Sequence, residues 1–181
     1  MGFNSTMERR DKRSKLMFLL RLVVLLLTVT VISTMVSWKV PKYWFPLDLF
    51  LMSVIVIALR HRPMTAQLFG LVAGLLEDSF TAGVVGLNAL SYTVIGFVVA
   101  ALKEAVMIQG LFQRILTFAL ATITHVCLLM FLSGVFSLPY TLDWLDLTLK
   151  VVFNTVAGFT IVLYISRQEL RKAAVKAYER S

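Results

Sequence analysis

Hydrophobic residues along the chain gather into long runs, and the charged residues lie in the gaps between those runs. The runs are about 16 to 23 residues long, a length that suits helices crossing a bilayer. We therefore expect an all-α integral membrane protein with six transmembrane helices, at 16–38, 44–59, 64–80, 87–102, 112–136 and 144–165. All four prolines fall in the gaps or at a helix start, where a missing N–H costs nothing, which supports these boundaries.

The third predicted helix is the weakest candidate for a full crossing, because Glu77 and Asp78 end its hydrophobic run. The length rule favours a short full crossing over one arm of a re-entrant hairpin with the fourth helix. Both interpretations stay open from sequence. The first run, at 16–38, is longer than the apolar region of a signal peptide and has no cleavage site, so we expect an uncleaved first helix.

Composition supports the membrane assignment and orients the chain. Hydrophobic residues make up 59% of the 181 residues, against roughly 45–50% in soluble domains. Among the 18 Lys and Arg residues, all but Lys39, Lys42 and Lys150 lie toward one side of the predicted bundle, in the tails, the gaps or the adjoining helix ends. The positive-inside rule places that side in the cytoplasm. We expect basic cytoplasmic tails at 1–15 and 167–181, a transmembrane domain at 16–166, and both termini inside.

Small residues recur at four-residue spacing on the third and fourth predicted helices. Ala66, Gly70 and Gly74 form one stripe, and Gly96 and Ala100 form another. Small residues at this spacing allow helix backbones to approach closely within a bilayer. We predict a packing seam between these two helices of the protein itself.

Polar side chains at membrane depth are costly, so each one is a candidate for function. For Asp78, recognition of a partner and a solvated helix end are equally supported. Asn88 is favoured as a helix cap, and His125 as an interhelical hydrogen bonder rather than a ligand or proton relay. With Tyr92 and Asn154 these residues form a candidate recognition cluster at the outer end of the bundle. His125 and Asn154 lie deeper and join it only if the bundle opens as a funnel.

Patterns for catalysis and for bound cofactors are missing from the sequence. There is no Gly-x-Ser-x-Gly elbow, no His-Glu-x-x-His and no phosphate-binding glycine loop. One cysteine and two histidines make a metal site improbable. The basic residues show no aromatic interleaving typical of nucleic-acid binding, and their partner is the lipid bilayer. We expect neither an enzyme nor a cofactor-binding protein.

Three motifs occur in order along the middle of the chain: PLD at 46–48, GxxxGLLxD at 70–78, and GLNALxY at 86–92 with Gly96 four residues later. Together with the length and six-helix layout, they resemble the rod shape-determining family MreD. The resemblance implies a non-catalytic bacterial inner-membrane scaffold of the cell-elongation machinery for peptidoglycan synthesis. It also implies binding to MreC, and through it a link from MreB to RodA and its class B penicillin-binding protein.

The same resemblance implies a fold similar to the S component of energy-coupling-factor transporters. A vitamin-binding S component is therefore the alternative function. Those proteins usually carry an Ala-x-x-x-Ala stripe on the first helix, and residues 16–38 contain no alanine. This departure counts against the transporter.

Overall fold

The computed structural model describes residues 3–39, 47–80, 84–106, 110–137 and 144–178. Within these ranges the regular structure is six α-helices and no strand, which confirms the all-α membrane class. The helices are α1 Phe3–Lys39, α2 Leu49–Arg60, α3 Pro63–Phe80, α4 Leu87–Val106, α5 Leu111–Val135 and α6 Trp144–Tyr178.

The first and last helices continue into the basic tails. α1 begins at Phe3, thirteen residues before the predicted hydrophobic boundary, and α6 continues to Tyr178. Charge and hydropathy locate the point where a helix leaves the membrane. The backbone hydrogen bonds of the helix continue into water wherever no helix-breaking residue intervenes. The tails contain no proline or glycine between residues 3 and 15 or after 166, so nothing in the sequence ends either helix there.

α2 is shorter than the sequence predicted. The expected start at residue 44 is wrong, because Leu47 and Asp48 are not helical and α2 begins at Leu49. Asp48 is its N-cap, and its side chain accepts a hydrogen bond from the Leu51 N–H. The 12 residues of α2 rise about 18 Å, short of the roughly 30 Å hydrocarbon thickness.

Within the described ranges, four helices are long and apolar enough to cross a membrane: α1, α4, α5 and α6. Large hydrophobic side chains cover the outside of the bundle, as lipid-facing surfaces require, and Leu20, Phe112 and Phe131 are more than half exposed. α2 and α3 do not meet the same length and composition limits, so their full crossing stays a prediction.

α2 lies at the centre of the bundle, packed against the α3–α4 hairpin. Leu51, Val54, Ile55 and Ala58 on α2 are completely buried. α1 contributes little to this core, since Leu26 is its buried residue in the described part. α5 and α6 approach each other closely at Gly158, where an added Cβ would overlap the ring of Phe118.

One end of the bundle carries Arg60, Arg62, Lys103 and Arg114, and we call it the basic end. There Lys103 Nζ donates hydrogen bonds to the carbonyls of Ala58 (3.3 Å) and His61 (2.6 Å), so α4 caps the last turn of α2. The ring of Phe18 lies edge-on to His61, with centroids 4.8 Å apart. Burial and the charges of Lys103 and Arg60 lower the pKa of His61, which favours its neutral ring.

Candidate functional site: a buried polar network

The opposite end of the bundle carries Asp48, Glu77 and Asp78, and we call it the acidic end. It contains a hydrogen-bonded group that we name the Asp48 network: Asp48, Glu77, Ser91, Tyr92, Thr122, His125 and Asn154. Its members come from α3, α4, α5, α6 and the N-cap of α2. The contacts that follow therefore tie five helices together at one point.

Asp48 is the centre of this network. One carboxyl oxygen, Oδ1, caps α2 at 2.7 Å from the Leu51 nitrogen. The other, Oδ2, accepts a hydrogen bond from the Tyr92 hydroxyl at 2.8 Å and lies 3.6 Å from His125 Nε2. The backbone N–H of Asp48 donates to the side-chain oxygen of Asn154 at 3.0 Å. A helix cap thus doubles as the contact point for α4, α5 and α6.

Tyr92 brings a second acid into the network. Its side chain is completely buried, and its hydroxyl contacts the Glu77 carboxylate as well as Asp48. A hydroxyl has one hydrogen, so it donates to one of the two carboxyl groups at a time. The geometry holds two acids from different helices against the same oxygen atom.

His125 and Asn154 complete the network on α5 and α6. His125 Nδ1 lies 2.8 Å from the Ser91 hydroxyl, and its ring is 4.9 Å from that of Tyr92. The amide nitrogen of Asn154 donates to the Thr122 hydroxyl at 3.3 Å. Asn154 is 1% exposed and His125 is 6% exposed, so water does not compete for these bonds.

Asp78 lies beside the network and has a different role. Its carboxylate accepts three backbone hydrogen bonds, from Gly86 (2.8 Å), Asn88 (3.2 Å) and Ala89 (3.2 Å). These N–H groups belong to the start of α4 and the turn before it, so Asp78 caps α4 from the end of α3. Asp78 is 4% exposed, so the alternative of a solvated helix end does not hold.

The cap predicted for Asn88 is replaced by Asp78. Asn88 is the second residue of α4, and its backbone N–H is one of the three groups that Asp78 accepts. The Asn88 side chain is half-buried and makes no hydrogen bond within the described part of the chain. Within the described residues, its amide is thus a half-buried polar group at this end without an intramolecular partner.

The structure places the residues of the predicted seam against each other. A Cβ added at Gly70 would overlap the Tyr92 carbonyl, and one at Gly74 would overlap the backbone of Ala89. A Cβ at Gly96 would lie 2.6 Å from the carbonyl oxygen of Ala66. Ala66 and Ala100 are completely buried. α3 and α4 are thus in backbone contact along these positions.

Sequence reasoning placed Tyr92, His125 and Asn154 in one cluster and missed the residues that join them. Asp48 carried a signal, since an acid directly before an apolar run is a typical N-cap. Glu77 was noted only as the end of a run, and Ser91 and Thr122 are common in membrane helices. Among the described residues no group of three or more His, Cys, Asp or Glu could hold a metal ion.

The geometry is that of a structural network, since its polar atoms bond to one another and to the backbone. A family model described as rod shape-determining protein MreD matches residues 12–166. No curated protein and no solved structure matches the chain. The match covers most of the sequence, and the chain belongs to the MreD family of membrane proteins that determine rod shape.

Proposed function

We propose that the chain is a non-catalytic scaffold of the cell-elongation machinery in the bacterial inner membrane, with both termini cytoplasmic. It binds MreC, and connects MreB to RodA and its class B penicillin-binding protein. The family match supports the role in cell shape, and the resemblance of the middle of the chain to MreD supports the partners.

The observation that supports the scaffold function is the Asp48 network. It fills the acidic end of the bundle with side chains that satisfy each other, and all buried side-chain polar atoms in the described part have a partner. Such a network rigidifies the helices that share it and specifies one arrangement. A protein that presents a fixed surface to partners requires this rigidity.

Recognition at the acidic end is assigned to the candidate cluster Asp78, Asn88, Tyr92, His125 and Asn154. Four of these residues are buried, and they hold the surface in shape. Asn88 is the half-buried member whose amide lacks a partner in the described part. We assign direct contact with a partner to Asn88 and support of that contact to the other four.

A vitamin-binding S component is the alternative function, and the same network argues against it. A transported ligand needs a pocket with polar groups that remain available to it. Here the buried groups of the network are already bonded to one another. The missing alanine stripe at 16–38 also counts against docking to a transporter.

Co-purification from native membranes tests the proposal. The tagged chain should bring down MreC, RodA and the penicillin-binding protein. Recovery of ATPase and coupling subunits with a tightly bound vitamin would instead establish the transporter.

A matched pair of variants tests the recognition residue in the same experiment. Asn88→Leu removes the free amide at a half-buried site, and Leu90→Ala alters a neighbouring exposed side chain on the same helix. We expect Asn88→Leu to reduce recovery of MreC at normal membrane levels of the protein, and Leu90→Ala to leave it unchanged. Equal recovery with both would remove Asn88 from the interface.

A further inference from the structure

A second feature lies on the side of the bundle, away from the Asp48 network. It is a cavity of about 280 Å³ between α4 and α5. Its walls include Val94, Val98 and Leu102 on α4 and Leu116, Leu120 and Thr124 on α5. Val98, Leu116 and Leu120 are 42%, 44% and 54% exposed, so the cavity opens sideways toward the bilayer. We call it the α4–α5 slot.

The size of the slot selects its occupant. In another protein a cavity of about 150 Å³ holds one benzene ring, so 280 Å³ accepts roughly ten carbon atoms. Val94 and Leu102 are eight residues apart, which is about 12 Å along a helix. An extended chain of about ten bonds has the same length, at roughly 1.2 Å per bond.

A transmembrane helix does not fit the same space. A helix with its side chains is about 10–12 Å across, too wide to enter a cavity of this volume and length, and it would reach into the slot only with side chains. A soluble polar ligand does not fit either, because the lining is almost entirely apolar. Among its polar side chains, Thr117 already donates its hydroxyl to the Gln113 carbonyl at 2.8 Å.

The charge at one end of the slot complements a lipid headgroup. Leu102 and Gln113 line the slot where it reaches the basic end, next in sequence to Lys103 and Arg114. The Lys103 ammonium donates two hydrogen bonds to carbonyls at the end of α2, so it contributes its charge and its third N–H at this end. The first turn of α5, which begins at Leu111, adds the positive end of a helix dipole. A phosphate at this position would lie at the depth of the lipid headgroups and beside the positive charges of the protein.

We propose that the α4–α5 slot is a binding site for one acyl chain of a phospholipid, whose phosphate lies at the basic end of the bundle. The lipid completes the surface between α4 and α5, where side chains leave a gap. This lipid site is independent of the proposed scaffold function, because it requires only that the chain crosses a membrane.

Filling the slot tests the site. Val98→Trp places a large ring in the slot, and Val156→Trp places the same ring on the exposed face of α6 as a matched control. The full chain is purified in mild detergent, and retained phospholipid is measured by native mass spectrometry. We expect the wild type and Val156→Trp to retain a phospholipid and Val98→Trp to lose it. Equal retention in the two variants, or none in the wild type, would overturn the site.

A second measurement leaves the packing of the slot nearly unchanged. A photoreactive phenylalanine derivative replaces Leu116 in the slot or Val156 on α6, and the purified chain is irradiated. A lipid adduct at Leu116 alone supports the proposal, whereas a protein adduct there would identify a partner chain and overturn it.

Lipid-stripped protein should rebind phosphatidylglycerol more strongly than the corresponding diacylglycerol. Equal binding would contradict the phosphate position.

Discussion

Asp48 and Asp78 are both acids that cap the start of a helix, yet they serve the fold in different ways. Asp48 caps its own helix and uses its second oxygen to hold Tyr92 of another. Both carboxyl oxygens of Asp78 accept hydrogen bonds from backbone N–H groups at the start of the next helix and in the turn before it. The half-buried carboxylate of Asp48 and the buried one of Asp78 are both tolerated because charge-assisted hydrogen bonds replace the lost hydration. The acidic end thus gains order from residues that would otherwise destabilise it.

Asp78→Asn tests the cap of α4. An amide keeps one acceptor oxygen and places an NH₂ group where backbone N–H donors converge, so we expect a loss of about 1–2 kcal/mol in unfolding free energy. Asp146→Asn is the matched control, since Asp146 is a half-buried acid paired with Lys150 at 2.8 Å and outside the Asp48 network. It should cost at most about 0.5 kcal/mol. Thermal unfolding in detergent measures both, and equal shifts would contradict the role of Asp78.

The α3–α4 hairpin is the element whose geometry depends most on side-chain size. Gly74→Ala puts a Cβ into the backbone of Ala89, and we expect it to destabilise the protein by about 1–3 kcal/mol, as overpacking does. Gly134→Ala is the control, because nothing lies within 4 Å of its Cβ position. Replacing that helical glycine should stabilise the protein slightly, by about 0.4–1 kcal/mol. Thermal unfolding in detergent measures both changes, and a neutral Gly74→Ala would show that α3 and α4 are farther apart.

The helices were predictable from sequence where hydropathy and helix breakers coincide. α3 starts at Pro63 and α4 starts directly after the Gly86 turn, and both starts agree with the predicted helices within one residue. The start of α2 was missed because the apolar residues before Asp48 extend the hydropathy run beyond the helix. The Tyr92–Asp48 contact spans 44 residues and depends on the rotation of two helices about their axes. Periodicity shows which face of a helix is polar, but it does not show which polar group of another helix that face meets.

At the scale of the whole molecule, the two ends of the bundle differ in charge and the chain returns to the basic end. Phe18 on α1 contacts His61 at the basic end. From Asn154 in the Asp48 network, α6 runs toward the Lys and Arg residues in its C-terminal part. Both terminal helices therefore extend from the same side of the bundle. This arrangement supports the proposal that the basic end faces the cytoplasm, as the distribution of Lys and Arg predicts.

Reporter fusions test this orientation. One is placed after Ser181, and the other is inserted in the 137–143 segment, between α5 and α6 in sequence. A reporter active only in the cytoplasm should work at Ser181 and fail in the 137–143 segment, and one active only outside should do the reverse. Charge explains this result, because moving the Arg and Lys residues of the basic end across the bilayer opposes the rule that orients short loops. Two cytoplasmic reporters would mean that α6, the helix between them, does not cross the membrane. A periplasmic Ser181 would invert or break the six-helix arrangement.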